Sequence, residues 1–547
     1  MPGRGTSSSP RAADWTGAVQ AWTAALGATQ VATEGAPIER LNENVSALTR
    51  RVPAVLWPRS TEEVQRVVQL ANLHHTPLYP VSCGMNWGLG SSLPVCDETA
   101  VVDLRRMNRI HAVDVPHHFA DIEPGVTQGQ LYDYLQDRQL PLRLNVTGSG
   151  RDSSLIGNAL ERGIGYFATR AGSLSGLEVV LGDGTLVRTG FAHLATSTIT
   201  HQYPAGIGPD ISGLFAQSNF GIVTRAGFSL MPAEGEALSI VAKIADDTRL
   251  VPFVEALIGL RRRGVVQTIW HLGNRGRTEI ALAPLVADQL RQAQAAATPA
   301  ALREQARTWI AQERFGAWNA VGGIFGSPAL LRHIRREIKA ALRGIADVMF
   351  LNDRTLAVGE RLLNALPSWP LVRRKRLMLQ AMKPLYRMAQ GIPTDAALKS
   401  VYWPVGQDTR QPIRDVDPGY SGMLYVLPFF PLTGEVAREV VELATTTLGA
   451  AGFTAYITLN FIDTQVAEAV VNCAFDRRNP EQTAAAHRAI NALTDAYIAR
   501  GYPPYRLGIQ QMDKLVNGDD PFWRTVLALK QTLDPHHIIA PGRYCPR

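Results

Sequence analysis

The stretch Pro80–Ser92, P-V-S-C-G-M-N-W-G-L-G-S-S, constrains this chain more than any other. A short apolar run, Leu78-Tyr79-Pro80-Val81, leads into it; Gly84, Gly88 and Gly90 follow, among Ser82, Ser91 and Ser92. Glycine admits positive φ and lets a ligand approach the main chain closely. Successive backbone N–H groups in such a bend can converge on an anion, typically a phosphate. Taken alone, the stretch suits a plain surface turn equally well. It matches neither G-x-G-x-x-G nor G-x-x-x-x-G-K-[ST], and no other segment does. A nucleotide held here therefore needs another kind of fold.

At 547 residues the chain exceeds one ordinary core, so two or more domains are expected. The net charge is +7. Its basic clusters, Arg261–Arg263, Arg332–Arg336 and Arg373–Arg376, carry no interleaved aromatics and read as solvated helix faces, so no nucleic-acid partner is expected. Cys83, Cys96, Cys473 and Cys545 lack C-x-x-C spacing, which argues against zinc or a disulfide framework and suits a reducing, cytoplasmic setting. The paired histidines are sequence neighbours that do not face one another, so no metal site is expected. Neither an apolar leader nor a membrane-spanning run is visible.

Residues 1–13 read as disordered and Trp15–Leu26 as an amphipathic helix. A strand at Ala54–Pro58, a capping box at Ser60-Thr61-Glu62-Glu63 and a helix with Val64, Val67, Val68 and Ala71 inward lead to the Leu78–Val81 strand. Strands follow at Ala100–Leu104 and Phe119–Glu123, then a helix from Thr127 through Gln139 and a second small-residue loop, Thr147–Ser154. A hairpin turns at Asp183-Gly184, and a strand runs from Phe220 to Pro232. Past Glu234 the pattern becomes repeated, ferredoxin-like β-α-β layering. Its first round is strand Leu238–Ile244, helix Leu250–Arg263, strand Val265–His271, a helix within Pro299–Glu313, strand Ala320–Gly326 and helix Pro328–Leu342. Its second is strand Gly422–Pro428, helix Glu435–Leu448, strands Phe453–Asn460 and Val466–Phe475, and helix Pro480–Arg500. A helical insertion, Thr355–Thr394, separates the rounds.

Read in order, several stretches resemble the vanillyl-alcohol oxidase/p-cresol methylhydroxylase flavoprotein family, from about Arg51 to Tyr544. They are P-V-S-x-G-x-N-x-G at Pro80–Gly88, M-N-R-I at Met107–Ile110, E-P-G-V-T at Glu123–Thr127 and G-N-A-L-E-R-G-I-G-Y at Gly157–Tyr166. G-L-F-x-Q-S-N-x-G-I-V-T at Gly213–Thr224, D-R-x-N-P-E at Asp476–Glu481, Tyr505-Arg506 and I-I-A-P-G-R at Ile538–Arg543 complete the set. The resemblance implies an α+β protein with an FAD-binding domain of the p-cresol methylhydroxylase type and a ferredoxin-like cap (substrate) domain. The implied divisions are an N-terminal extension (1–47), the FAD-binding domain (48–235), the cap (236–499, with insertion 355–394) and a segment returning to the FAD domain (500–547).

The resemblance also implies roles. Pro80, Val81, Ser82, Cys83, Gly84, Met85, Asn86, Trp87 and Gly88 would hold the FAD diphosphate. Pro124, Gly125, Val126, Thr127, Gly157, Asn158, Gly163, Gly221, Ile222, Val223 and Arg543 would line the rest of the dinucleotide. Tyr505 and Arg506 match the pair that holds a phenolic oxygen, and Arg506 could stabilise a phenolate. The family's phenol-binding tyrosine falls at Leu89, which becomes a substrate contact without a hydroxyl. The family's acidic residue ahead of G-N has Ser149 and Asp152 nearby, and Asp152 is the catalytic candidate. The paired cap histidines fall at Glu468-Ala469, making Glu468 the candidate acid/base. The family's histidine attachment point falls at Met423-Leu424, which cannot link to flavin. Dissociable FAD is therefore expected, with a tyrosyl link through Tyr420 or Tyr425 as the alternative. The implied activity is hydride removal from an alcohol or para-substituted phenol. Alternatives are a non-phenolic secondary-metabolite alcohol or amine as substrate, and a flavin-binding protein without turnover. A small-molecule substrate, oxygen or another electron acceptor, and a homodimer complete the expectation.

Overall fold

Three sheets organise the computed structural model, which describes residues 12–547 apart from 267, 295, 314 and 368. The disorder expected over residues 1–13 lies, up to residue 11, outside the described residues. The first sheet contains β1 (Val31–Ala32), β2 (Val55–Leu56), β3 (Leu78–Val81) and β4 (Ala100–Asp103), in the order β1-β2-β4-β3. Its last three strands run parallel, as the connecting helix Thr61–His74 requires. The Ser60 side chain caps that helix by accepting from the Glu63 N–H. The reciprocal half of the expected capping box is absent. Glu63 Oε2 instead accepts from Arg59 N–H at 2.8 Å and from Gln30 Nε2 at 2.7 Å, because the β1 segment brings Gln30 within reach.

The second sheet is antiparallel. After β5 (Ile110–Asp114) and β6 (Phe119–Ile122) come the short β7 (Leu142–Arg143), then β8 (Leu174–Leu181), β9 (Leu186–Arg188), β10 (Gly221–Ser229) and β11 (Met231–Pro232). The order is β5-β6-β10-β8-β9, and β7 and β11 form a separate ribbon. The helix after Thr127 ends at Asp137, two residues before the expected Gln139, which takes positive φ.

The third sheet holds β12 (Glu236–Ile244), β13 (His271–Asn274), β14 (Trp318–Gly326), β15 (Asp347–Leu351), β16 (Ser421–Val426), β17 (Phe429–Pro431), β18 (Tyr456–Phe461) and β19 (Val466–Asp476). Its order is β15-β12-β14-β13-β18-β19-β16, with β17 also on β19. Two expectations are corrected here. The strand expected over Val265–His271 starts only at His271, and helix Arg275–Ala293 follows directly. Gly276 and Pro284 hide this helix in the sequence. Asn274 nevertheless caps it, and Pro284 is tolerated inside, buried among apolar neighbours. The edge strand β15 was also not expected; alternate exposure leaves it a weak pattern.

The two faces of this sheet differ. Leu272, Leu424, Val426, Ile457, Leu459, Ala469 and Val471 point to one side and form one core with Phe253, Leu257, Val440, Leu448, Ile490 and Leu493 of the covering helices. The other side carries the polar residues described below. A second core joins the first sheet to Leu507, Ile509, Met512, Ile538, Ile539, Ala540 and Tyr544, so the carboxyl end packs on the amino-terminal unit. Leu78 N–H bonds Ile538 C=O at 2.7 Å, and Ile539 bridges Leu78 in parallel. No helix among the described residues is long and apolar enough to cross a membrane.

Candidate active site

Beyond β3 the chain bends with positive φ at Gly84 (74°), Gly88 (74°), Gly90 (113°) and Ser91 (51°). The N–H groups of Leu89 and Ser91 bond the Asn86 carbonyl, and that of Gly90 bonds Ser46 Oγ. Among the described residues, no protein acceptor meets the N–H groups from Cys83 to Gly88. A run of unpaired main-chain donors needs an acceptor from outside the chain. This donor set fits the diphosphate of a dinucleotide. Gly88 is required here twice over: its φ is left-handed, and an added Cβ would lie 2.3 Å from the Tyr425 ring. Gly88→Ala is therefore expected to yield protein that retains little or no FAD, read as the flavin-to-protein absorbance ratio after desalting.

The other residues expected to line a dinucleotide surround this bend but have their main-chain bonds made. Gly125 N–H bonds Met107 C=O at 2.7 Å, and a Cβ there would strike Arg105 O at 2.6 Å. Pro124 C=O accepts from Ser154 Oγ, Val126 N–H bonds Glu123, and Thr127 caps its helix. Ser154 also caps Leu155–Leu160, where Gly157 lies against Ser82. Asn158 C=O accepts from Gly163 N–H, and Gly221, Ile222 and Val223 pair with β8. Their contribution is shape rather than free donors.

Facing the bend is the polar side of the third sheet. Register puts His271 opposite Asn460, and Asn460 opposite Glu468, so the three side chains share one face. Phe429 pairs with Glu468 from the other side of β19, and Tyr425, on the neighbouring β16, shares this face opposite Asn472. Met423 and Tyr425 pack with Met85 and Trp87 of the bend, which closes the site between loop and sheet.

The segment carrying Tyr505 is fixed by its backbone. Phe429 N–H bonds Pro503 C=O at 3.0 Å, Tyr505 N–H bonds Leu427 C=O at 3.1 Å, and Gln217 Nε2 donates to Tyr505 C=O at 2.9 Å. The Tyr505 ring stacks on Phe429 at 4.4 Å, and its hydroxyl donates to Glu468. Glu468 is only 2% exposed. Burial pushes its carboxyl up to about 7, against the pull of Asn460, Tyr505 and Arg506. Burial, then Glu468, holds the Tyr505 phenol well above its ordinary range, so Tyr505 keeps its proton. Asn460 Nδ2 donates to Glu468 at 2.8 Å, while Asn460 Oδ1 faces His271 Nδ1 at 2.7 Å. The other His271 nitrogen faces Tyr166 C=O at 3.2 Å.

Arg506 donates to Asn86 Oδ1 of the bend and lies 3.4 Å from Glu161. Arg543 binds the same Glu161 and the Tyr79 hydroxyl. Burial works to raise the Glu161 carboxyl, but Arg543 and Arg506 outweigh it and hold it below its ordinary value. Two guanidiniums share one carboxylate, so the cluster keeps one net positive charge. Leu89 is buried, and its carbonyl accepts from Ile509 N–H at 3.1 Å.

The structure thus brings Glu468, Tyr505 and Arg506 together. Asp152 lies near Cys83 of the bend and 3.9 Å from Arg414; among the described residues, no hydrogen bond or ion pair joins it to that trio. Ser149 is occupied by Thr147 and Ser153. Arg478 stacks on Tyr420 at 3.7 Å, whereas Tyr425 lies against Gly88. Sequence reasoning missed Asn460, His271, Phe429 and Glu161 as site residues. Glu161 sits inside the quoted G-N-A-L-E-R stretch, and Asn460 occupies an inward position of a strand whose alternate residues are apolar; both were signals.

A family model described as an FAD binding domain matches residues 52–190. The chain is 33% identical over 538 residues to the 1'-carboxy-chondrochloren decarboxylase of Chondromyces crocatus, covering 96% of each. It is 27% identical over 540 residues to the 4-cresol dehydrogenase (hydroxylating) flavoprotein subunit of Pseudomonas putida, covering 96% of this chain and 94% of that one. A crystal structure of p-cresol methylhydroxylase with substrate bound superimposes at a TM-score of 0.79 with 25% identity, covering 97% and 96% of the two chains.

Proposed function

Since the chain belongs to the vanillyl-alcohol oxidase/p-cresol methylhydroxylase flavoprotein family and is an FAD-dependent oxidoreductase, we propose that it oxidises an alcohol or a para-substituted phenol. Bound FAD supplies the hydride acceptor, N5 of its ring. The residues of the chain manage position and protons. Glu468, with its carboxyl raised to about 7, takes the hydroxyl proton of the substrate. Arg506, with the net positive charge of its cluster behind it, stabilises the oxyanion that results. Once Glu468 carries the proton, the Tyr505 hydroxyl, held in place on Phe429, turns to donate to the same oxygen. Electron density from a phenolate oxygen flows to the para position and eases hydride loss from the attached carbon. The quinone methide so formed leads to an alcohol, aldehyde or alkene.

The observation that carries this reading is the buried Glu468–Tyr505 pair beside Arg506, on the sheet face turned to the unpaired N–H groups of the bend. Anaerobic mixing of the FAD-loaded protein with 4-hydroxybenzyl alcohol, 4-ethylphenol and cinnamyl alcohol tests it. Bleaching of the visible flavin band is expected with the phenols. Bleaching by cinnamyl alcohol alone would favour the non-phenolic reading, to which apolar Leu89 lends support. No bleaching by any of them would remove the proposal. FAD is proposed to be dissociable, with a colourless protein pellet after acid precipitation. A yellow pellet would point to a tyrosyl link, and Tyr425, lying against Gly88, is then the residue to replace.

A further inference from the structure

We propose that Arg277 forms an anion subsite on the same sheet face, and that the substrate carries a carboxylate directed to it. This rests on the oxidoreductase reading above. Asn274 ends β13 and caps the next helix, so Arg277 falls in that helix's first turn. Its side chain folds back over Gly273: a Cβ built on Gly273 would lie 3.7 Å from Arg277 Cγ. Gly273 is two residues from His271 and shares its face, the face of Asn460 and Glu468. Arg277 therefore lies over the polar side of the sheet, not in the apolar core behind it.

Two guanidiniums bear on the buried Tyr425 hydroxyl, Arg277 and Arg506. Arg277 also bears on Tyr166, whose ring packs against His271 at 4.7 Å. The two arginines differ in their partners. Arg506 has Glu161 and Asn86. Arg277 has neither a carboxylate nor a hydrogen-bond acceptor among the described residues, although its Nη1 is shielded from solvent. Glu468 shares the face but is taken by Asn460 and Tyr505. A guanidinium nitrogen shielded from solvent without a partner is costly, and an incoming anion removes that cost. The buried Arg170 shows what a structural arginine looks like here: it donates to Asn145 C=O, Asn158 Oδ1 and Gln128 Oε1. Arg277 makes no such bonds. A planar guanidinium with free donors suits a carboxylate.

The test uses 4-hydroxybenzoate and 4-hydroxycinnamate, each against its methyl ester. None of the four has a saturated benzylic C–H to lose, so perturbation of the bound flavin's visible spectrum reports binding alone. At least one acid is expected to bind about 30-fold more tightly than its ester, the size expected of a charged hydrogen-bonded contact. In Arg277→Gln that preference falls to about onefold, and Arg277→Lys restores part of it. The flavin-to-protein ratio confirms that each variant is folded and loaded. Equal binding of acid and ester by the unaltered protein, or an undiminished preference in Arg277→Gln, overturns the subsite alone, provided 4-hydroxybenzyl alcohol still bleaches the flavin. Silence toward every phenol, alcohol and acid overturns the underlying reading, and the subsite with it.

Discussion

Glu468→Gln lowers turnover by about two to four orders of magnitude, the range of a general base, while FAD remains bound. The substitution keeps the volume and the acceptor for Asn460 and Tyr505 but removes the atom that takes a proton. Burial is what equips this carboxyl. On an exposed strand it would titrate in the ordinary carboxylate range; here it is pushed up to about 7. The base works when ionised, so turnover in the unaltered protein rises with pH through about 7 and then levels. In Glu468→Gln that limb disappears. Asn460→Leu removes a donor that favours the ionised form, so the limb moves to higher pH. Stability carries the opposite sign. The folded carboxyl binds its proton more tightly than the unfolded one, whose ordinary value is 4.5. Its contribution is complete below about 4.5 and fades as pH rises toward about 7. Thermal melts across that range would show the unaltered protein losing stability relative to Glu468→Gln as pH rises. A Gln variant with undiminished turnover and the same pH limb would remove Glu468 from the chemistry.

Arg506→Met is expected to lower turnover of phenols by about two to three orders of magnitude, the loss seen when an oxyanion donor is removed. The cluster's charge explains why. With both guanidiniums present, Glu161 neutralises one and the excess positive charge faces the substrate; with Arg543 alone, the pair is neutral. Because Arg543 still binds Glu161, no carboxylate is left bare, and the fold should survive where loss of a sole partner would be severe. Arg506→Lys restores charge without the fork that reaches both Asn86 and Glu161, so it recovers only part of the rate. The deficit should grow as the phenol becomes less acidic, since more of the oxyanion's stabilisation then falls to the protein. Steady-state rates across ring-substituted phenols read this slope. A flat slope with intact turnover would mean that no phenolate forms at Arg506.

Much of the scaffold follows from short-range chemistry. The bend after β3 is written in its glycines, the caps at Ser60, Thr127 and Ser154 in their hydroxyls, and the apolar side of β18 and β19 in alternating residues. Where local signals conflicted, reading failed: Gly276 and Pro284 concealed the helix after β13, which is stabilised by its cap and its burial rather than by propensity. For Asp152, closeness in sequence to the G-N stretch does not say which side chains it meets; the fold sets it 3.9 Å from Arg414.

The amino-acid order alone pointed to the anion-binding bend and to more than one domain, and its resemblance to a known family pointed to the α+β plan and to Tyr505, Arg506 and Glu468 as candidates. Only the tertiary structure decided that His271, Asn460 and Glu468 stand in one row, that Arg506 shares Glu161 with Arg543, and that Arg277 is left without an acid among the described residues. The physical reason is register. A strand fixes which of its own side chains share a face, but the partner opposite each one is set by pairing across hundreds of residues, where a slip of one position would turn every side chain to the other side.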